Sequence, residues 1–121
     1  MLDKPLVYVA GYYSANPAHG TREACDAFQK LLSYDVVPLV PHMSLLLDVV
    51  HPQTAEFWYE YDLALLARCD AMFVIPNSDL TRESTGVRNE IAFCEAHGIP
   101  VIYTYPVLDL WERLWKKGSA L

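Results

Sequence analysis

A serine and a glutamate, Ser84 and Glu90, have the residue types and spacing to do chemistry on a small ligand. Ser84-Thr85-Gly86 is a turn of small residues that is predicted to open a helix. A serine cap, free backbone N–H groups and the positive end of a helix dipole together form a seat for an anion. Glu90 lies about 9 Å from Ser84 along the helix axis, roughly the length of a pentose 5-phosphate. The simpler alternative is that Ser84 only caps the helix.

Asp62 is the second candidate acid. It lies on a helix predicted over residues 54–68, on a side that is otherwise apolar, where a carboxylate is unusual. A structural alternative is a salt bridge, for example with Arg22 or Arg88. For Glu90 the alternative is a solvated helix face. The sequence leaves both pairs of alternatives open.

Carboxylates on two separate helices fit substitution at an anomeric carbon through an oxocarbenium-like transition state. Glu90 would attack as the nucleophile and form a glycosyl-enzyme ester, which water or another acceptor resolves. Asp62 could assist the departure of a nucleobase or position the sugar hydroxyls. Tyr8 could hold the nucleophile by a hydroxyl hydrogen bond, although a core tyrosine is an equally good interpretation. Tyr12 and Tyr13 could sandwich a base.

Strand-like and helix-like segments alternate along the chain. We predict strands at residues 6–10, 36–40, 71–75 and 99–104, and helices from Thr21, over 54–68, from Ser84 to His97 and over 107–117. Pro38 predicts an edge position or a bulge for the second strand. Residues 41–52 are predicted to form a partly helical flap that covers the site or packs against a second subunit, and residues 78–83 a polar loop.

This alternation predicts a parallel sheet with helices on both faces. Ligands bind such sheets at the carboxyl ends of the strands. The loops at Gly11, Pro41 and Asn77 lie on that edge, as does the start of the helix that carries Glu90. The sequence therefore places the candidate site before any family is considered.

Composition limits the partners and the chemistry. The chain of 121 residues predicts one domain, residues 1–121, and its net charge of −6 with scattered Lys and Arg argues against polymeric nucleic acid. No apolar run reaches membrane length and no export signal is visible, so we expect a cytoplasmic protein with reduced Cys25, Cys69 and Cys94. The histidines lack metal-ligand spacing, and no dinucleotide or Walker loop is present. We therefore predict no metal and no cofactor.

Several stretches resemble the nucleoside 2-deoxyribosyltransferase superfamily, from about residue 6 to residue 103. They are Val7-Tyr8-Val9-Ala10-Gly11, Tyr61-Asp62-Leu63 through Cys69-Asp70-Ala71, Ser84-Thr85-Gly86 leading to Glu90 and Ala92, and Gly98-Ile99-Pro100-Val101. The resemblance is to short bacterial and phage members of unknown function that carry Ser-x-Gly-x-x-x-Glu, related to the 2′-deoxynucleoside 5′-phosphate N-hydrolases.

The resemblance implies a flavodoxin-like three-layer sandwich with a parallel sheet of four to five strands. Glu90 matches the nucleophile of the family, Asp62 its assisting acid and Tyr8 the tyrosine that orients the glutamate. Ser84 matches a phosphate-binding serine, which favours a nucleoside 5′-monophosphate over a nucleoside. A homodimer or a larger homo-oligomer is implied as well. The expected substrate-binding residues are Gly11, Tyr12, Tyr13, Ser84, Thr85 and Gly86.

The sequence thus predicts an N-glycosidase or deoxyribosyltransferase-like enzyme that cleaves the N-glycosidic bond of a (deoxy)nucleoside or its 5′-monophosphate. One alternative is a non-catalytic nucleotide-binding or sensing module on the same fold. Another is a purely structural oligomeric protein.

Overall fold

The computed structural model describes residues 1–118, and residues 119–121 of the predicted domain lie outside the described residues. Strands and helices alternate along most of the chain. The elements in order are β1 (Leu6–Ala10), α1 (Pro17–Leu31), β2 (Val37–Leu39), a 3-10 turn (Pro41–Met43), α2 (Ser44–Val50), α3 (Ala55–Leu66), β3 (Ala71–Val74), α4 (Asp79–Glu83), α5 (Thr85–His97), β4 (Val101–Ile102) and α6 (Tyr105–Lys116). Within the described part of the chain, no helix combines the length and the apolarity needed to cross a membrane.

The four strands form one parallel sheet in the order β2-β1-β3-β4. Residues of β1 pair on both sides, so that Tyr8 lies opposite Leu39 of β2 and Met72 of β3. The chain leaves β1 toward β2 and later returns to β3 on the other side, which opens a crevice at the carboxyl ends of β1 and β3. The predicted parallel α/β fold and the edge position of the Pro38 strand are both confirmed.

Alternation along β1 divides the core into two layers. Val7 and Val9 pack on the face covered by α1 and α6. Tyr8 and Ala10 point to the opposite face, where α3 and α5 contribute Leu66 and other apolar residues. Helices therefore cover both faces, as predicted. The side chain of Tyr8 consequently lies in the layer whose helices carry both candidate acids.

Helix α1 begins at Pro17, so the prediction that Thr21 caps it is wrong. The Asn16 side chain accepts a hydrogen bond from the His19 backbone N–H at 3.3 Å and is the actual cap. Proline suits the first turn of a helix, because the N–H that it lacks would have no partner there. Pro17 thus starts a helix in a stretch whose Asn, Pro and Gly residues are typical of a loop.

The segment predicted as a polar loop contains the short helix α4. Ser78 caps it by accepting a hydrogen bond from the Thr81 backbone N–H at 3.3 Å. Thr81 is buried, and its hydroxyl accepts the Tyr12 backbone N–H at 3.2 Å. This tertiary contact ties α4 to the loop after β1, and sequence periodicity over so few residues does not reveal it.

The apolar spacing of helix α6 predicted Leu110, Leu114 and either Trp111 or Trp115 on its inner face, and of these the buried residue is Trp111. Leu110 and Leu114 are exposed, whereas Leu108 and Trp111 are buried against the sheet. Thr104 caps the helix through the Val107 backbone N–H, so that it begins two residues earlier than predicted. Apolar residues occur on two neighbouring faces of this helix, and the spacing alone does not choose between them.

Two glycine substitutions should have opposite effects on stability. A Cβ atom on Gly20 would overlap the backbone carbonyl oxygen of Tyr12, whereas one on Gly86 would lie 3.7 Å from the Ser84 hydroxyl, an ordinary contact. We expect Gly20→Ala to lower the free energy of unfolding by about 1–3 kcal/mol. Gly86→Ala, in the first turn of α5, should raise it by about 0.5–1 kcal/mol. Urea denaturation measures both, and a Gly20→Ala variant as stable as wild type would contradict the close packing of α1 on the loop.

Candidate active site

A cleft of about 810 Å³ opens at the carboxyl edge of the sheet. This volume is in the usual range for a small-molecule site. Its walls are the loop after β1, the flap of residues 41–52, helix α3 and the start of α5. The lining residues include Gly11, Tyr12, Tyr13, His42, Asp48, Trp58, Asp62, Glu83, Ser84, Thr85, Gly86 and Glu90.

Tyr8 and Glu90 form a short hydrogen bond beneath the cleft. The Tyr8 hydroxyl donates to Glu90 Oε2 at 2.5 Å, and the Tyr8 side chain is fully buried. Burial raises the pKa of the Tyr8 phenol, and the neighbouring carboxylates raise it further, so the phenol keeps its proton and is the donor. Glu90 itself lines the cleft, and its carboxylate is held in one orientation.

Burial raises the pKa of Glu90 to about 7. The hydrogen bond from Tyr8 favours the ionised form and acts in the opposite direction, while the charge of Asp62 raises the pKa further. Burial alone raises the pKa of Asp62, also to about 7. Both acids therefore titrate near neutral pH, so that one can be protonated while the other is ionised. Such a pair can supply one proton donor and one carboxylate at the same time.

Asp62 has one carboxyl oxygen, Oδ1, that is buried and lacks a hydrogen-bond partner among the described residues. Its predicted ion-pair alternative is not observed in that part of the chain: Arg22 pairs with Asp26 at 3.4 Å, and Arg88 forms no ion pair with Asp62. A buried polar atom without a partner costs free energy and calls for an explanation. A ligand in the cleft that donates a hydrogen bond would provide one.

Ser84, Thr85 and Gly86 line the cleft at the start of α5. The Ser84 hydroxyl oxygen accepts the Val87 backbone N–H at 3.3 Å, so the serine caps the helix. A hydroxyl that accepts one hydrogen bond can still donate another. Capping therefore leaves the Ser84 proton available to a ligand.

Gly11 follows β1 where the backbone approaches the cleft. A Cβ atom there would lie 2.6 Å from Ile75 Cδ1 and 3.7 Å from His42 Cε1. The side chain of Ile75 would have to move to admit even alanine. Glycine at this position therefore allows the loop to pack closely against Ile75.

The two loop tyrosines are placed differently. The Tyr12 side chain is 2 % exposed and packs against Gly20, so it contributes mainly backbone atoms to the cleft. Tyr13 is 37 % exposed and meets the ring of His42 edge-on, with the ring centroids 6.0 Å apart. Of the two rings, that of Tyr13 is the accessible one.

His42 is a lining residue that the sequence reasoning considered only as a metal ligand. Its Nε2 lies 3.0 Å from the carbonyl oxygen of Tyr12, and burial lowers its pKa. A carbonyl oxygen can only accept, so the neutral ring carries its proton on Nε2 and leaves Nδ1 as an acceptor. Nδ1 is buried without a partner among the described residues. Its position directly after β2, at the ligand-binding edge, was the available signal.

Asp48 and Trp58 join the flap to α3, and the sequence reasoning missed this contact. Trp58 Nε1 donates to Asp48 Oδ1 at 2.6 Å, and the Gln53 backbone N–H donates to the same oxygen at 2.9 Å. Both hydrogen bonds lower the pKa of Asp48, and the one from Gln53 has the larger effect. A carboxylate is thus fixed in the wall of the cleft. The remaining faces of α2 expose Leu46, Leu47, Val49 and Val50.

Comparison with solved structures finds 2-deoxyribosyltransferases. A 2-desoxiribosyltransferase from Leishmania mexicana is 20 % identical with a TM-score of 0.60, covering 82 % of this chain and 63 % of that one. A 2-deoxyribosyltransferase from Bacillus psychrosaccharolyticus is 18 % identical with a TM-score of 0.59, covering 81 % of this chain and 70 % of that one. The chain thus spans less than two thirds of the Leishmania protein. At these identities the likeness establishes a shared fold.

Sequence comparison finds a family without an assigned activity. Among curated proteins, none matches the chain. A family model described as "Domain of unknown function (DUF7768)" matches residues 5–104, which is most of the sequence. The chain therefore belongs to the DUF7768 family, on a fold that it shares with the 2-deoxyribosyltransferases.

Proposed function

We propose that this protein cleaves the N-glycosidic bond of a (deoxy)nucleoside or its 5′-monophosphate, with Glu90 as the nucleophile. The observation that carries the proposal is the Tyr8–Glu90 hydrogen bond of 2.5 Å in a cleft that also contains the unpartnered Oδ1 of Asp62. One acid is held in a fixed direction and the other has a free oxygen. This arrangement fits glycosyl transfer through a covalent intermediate.

In the first step, an ionised Glu90 oxygen forms a bond to C1′ of the sugar while the bond from C1′ to the base nitrogen breaks. The electron pair of the broken bond leaves with the base. Asp62, in its protonated form, donates its proton to the departing base, so that the base leaves neutral. Since burial raises the pKa of both acids to about 7, the state with Asp62 protonated and Glu90 ionised is populated near neutral pH.

In the second step, an acceptor attacks C1′ and releases the Glu90 carboxylate. If the acceptor is water, ionised Asp62 takes up its proton and the product is the free sugar. If the acceptor is another base, its nitrogen bonds to C1′, ionised Asp62 takes up the proton that this nitrogen loses, and the sugar is transferred. Tyr8 keeps Glu90 oriented in both steps, which is a positioning role.

Incubation with a panel of nucleosides and nucleoside 5′-monophosphates tests the proposal directly. Chromatography should show free base accumulating from at least one of them. If base appears only when a second base is supplied, the reaction is transfer. Saturable binding without any release of base would instead support the non-catalytic nucleotide-binding module and reject the enzyme.

Tyr8→Phe should weaken catalysis and shift its pH dependence. The Tyr8 hydrogen bond favours ionised Glu90, so its loss should raise the pKa of Glu90 and move the acidic limb of the kcat/KM profile to higher pH. We expect kcat/KM at pH 6 to fall about tenfold or more, as befits the loss of a hydrogen bond to a charged group. Tyr34→Phe, on the opposite face of the sheet, is the matched control. A Tyr8→Phe profile that matches wild type would contradict the positioning role.

A further inference from the structure

We infer that this cleft takes an uncharged nucleoside and disfavours its 5′-monophosphate, and that Glu83 and Asp48 enforce the choice. The inference rests on the proposed function and specifies its substrate class. It departs from the sequence-based expectation, in which Ser84 seats a phosphate.

The charges that line the cleft have one sign. Among the described residues, four carboxylate side chains line it, Asp48, Asp62, Glu83 and Glu90, and no lysine or arginine does. The one ionisable base is His42, and burial lowers its pKa, which keeps the ring neutral at pH 7. A phosphate would therefore enter a region of negative potential without a cationic partner.

Glu83 is the chain neighbour of Ser84, the residue that the sequence suggested for binding a phosphate. It directly precedes Ser84, at the junction where α4 ends and α5 begins, and both residues line the cleft. Neighbouring Cα atoms are about 3.8 Å apart, so an anion that contacts the Ser84 hydroxyl also lies close to Glu83. The dipole of α5 attracts a phosphate at this end of the helix, whereas the negative charge of Glu83 repels it.

The nearby arginines do not compensate for Glu83. Arg82 forms an ion pair with Asp79, and Arg88 is exposed on α5 and is not among the lining residues. The loop after β1, residues 11–16, contains no basic side chain, and Arg22 of α1 pairs with Asp26. The site thus offers the hydroxyl and backbone donors that suit a sugar 5′-hydroxyl.

Asp48 adds a second fixed negative charge on the flap. The two N–H groups of Gln53 and Trp58 hold its Oδ1 and lower its pKa, so the carboxylate is ionised at neutral pH. Asp48 and Glu83 belong to different elements that both line the cleft, so neither charge depends on the other for its position. Together with Glu90, they favour a neutral ligand.

Calorimetry with the four 2′-deoxynucleosides and their 5′-monophosphates tests this inference. The nucleoside of each pair that binds should have a Kd lower by about tenfold or more in 20 mM salt, and the difference should shrink in 500 mM salt because ions screen the repulsion. Glu83→Gln should reduce the ratio of the two dissociation constants about fivefold, and Glu83→Lys should reduce it further. Glu95→Gln, on an exposed part of α5 outside the cleft, is the matched control.

Equal or tighter binding of the monophosphate, or a Glu83→Gln variant that changes both dissociation constants equally, would overturn the inference while leaving the proposed function intact. If neither class of ligand binds and no base is released, the proposed function is wrong and the inference falls with it.

Discussion

Glu90→Gln is expected to reduce the release of base at least about a thousandfold, because it removes the only atom that forms a bond to C1′ in the proposed first step. Glutamine has nearly the same shape, and its side-chain oxygen can still accept the hydrogen bond from the Tyr8 hydroxyl. The cleft should therefore keep its form and its affinity for ligand while losing turnover. Single-turnover chromatography combined with calorimetry separates these two quantities.

Glu95→Gln supplies the control for this loss. Glu95 lies on the same helix as Glu90 but on an exposed face outside the cleft, and its replacement should leave the release of base unchanged. A Glu90→Gln variant that retains wild-type activity would eliminate the covalent mechanism. Mass spectrometry of the wild-type protein, quenched during turnover, should detect a sugar adduct that the Glu90→Gln variant lacks.

The sequence predicted the features that depend on local pattern. The strands that end at Ala10 and Val74 are nearly continuous apolar runs, as buried parallel strands are, and Pro38 marked an edge. Asp62 and Glu90 were noticeable as acids beside apolar stripes, and the structure brings both to one cleft. Alternating strands and helices then leave few arrangements of the sheet, which is why the fold was predictable.

Other features depend on contacts between segments that are distant in the sequence. The bond between Asp48 and Trp58 joins α2 to α3 across a break at Pro52, and no spacing rule predicts it. Tyr12 is buried because Gly20 packs against its ring. Gly20 lies there because α1 begins as early as Pro17. The proton position on His42 is fixed by a backbone carbonyl thirty residues away. Such features need the folded chain.

Asp62→Asn is expected to make the protein more stable at pH 8 and far less active. Burial raises the pKa of Asp62 from 3.8 to about 7, so between pH 4 and pH 7 the unfolded chain releases this proton while the folded chain keeps it. The folded state then binds more protons than the unfolded state, and linkage requires that its stability falls as the pH rises through this window. Asparagine has no such proton, so the stability of the variant should not fall in this way as the pH rises.

The expected gain at pH 8 is about 1–2 kcal/mol in the free energy of unfolding, since the partial exposure of the side chain lets water screen part of the charge. At pH 4 the protonated acid and the amide are both neutral, and the two proteins should differ little. Asp26→Asn, exposed on α1, is the matched control. Urea denaturation at both pH values measures the effect, and a variant that is less stable than wild type at pH 8 would show that the carboxylate has a structural partner.

The same substitution removes the proposed proton donor, so base release should fall about a hundredfold to ten-thousandfold. The residual rate should be highest for substrates whose base leaves readily without protonation. If Asp62 serves chemistry, its replacement raises stability and lowers activity. If it served packing, its replacement would lower both. The unpartnered Oδ1 of Asp62 already indicates the first case, since the described residues supply no partner that its removal could disrupt.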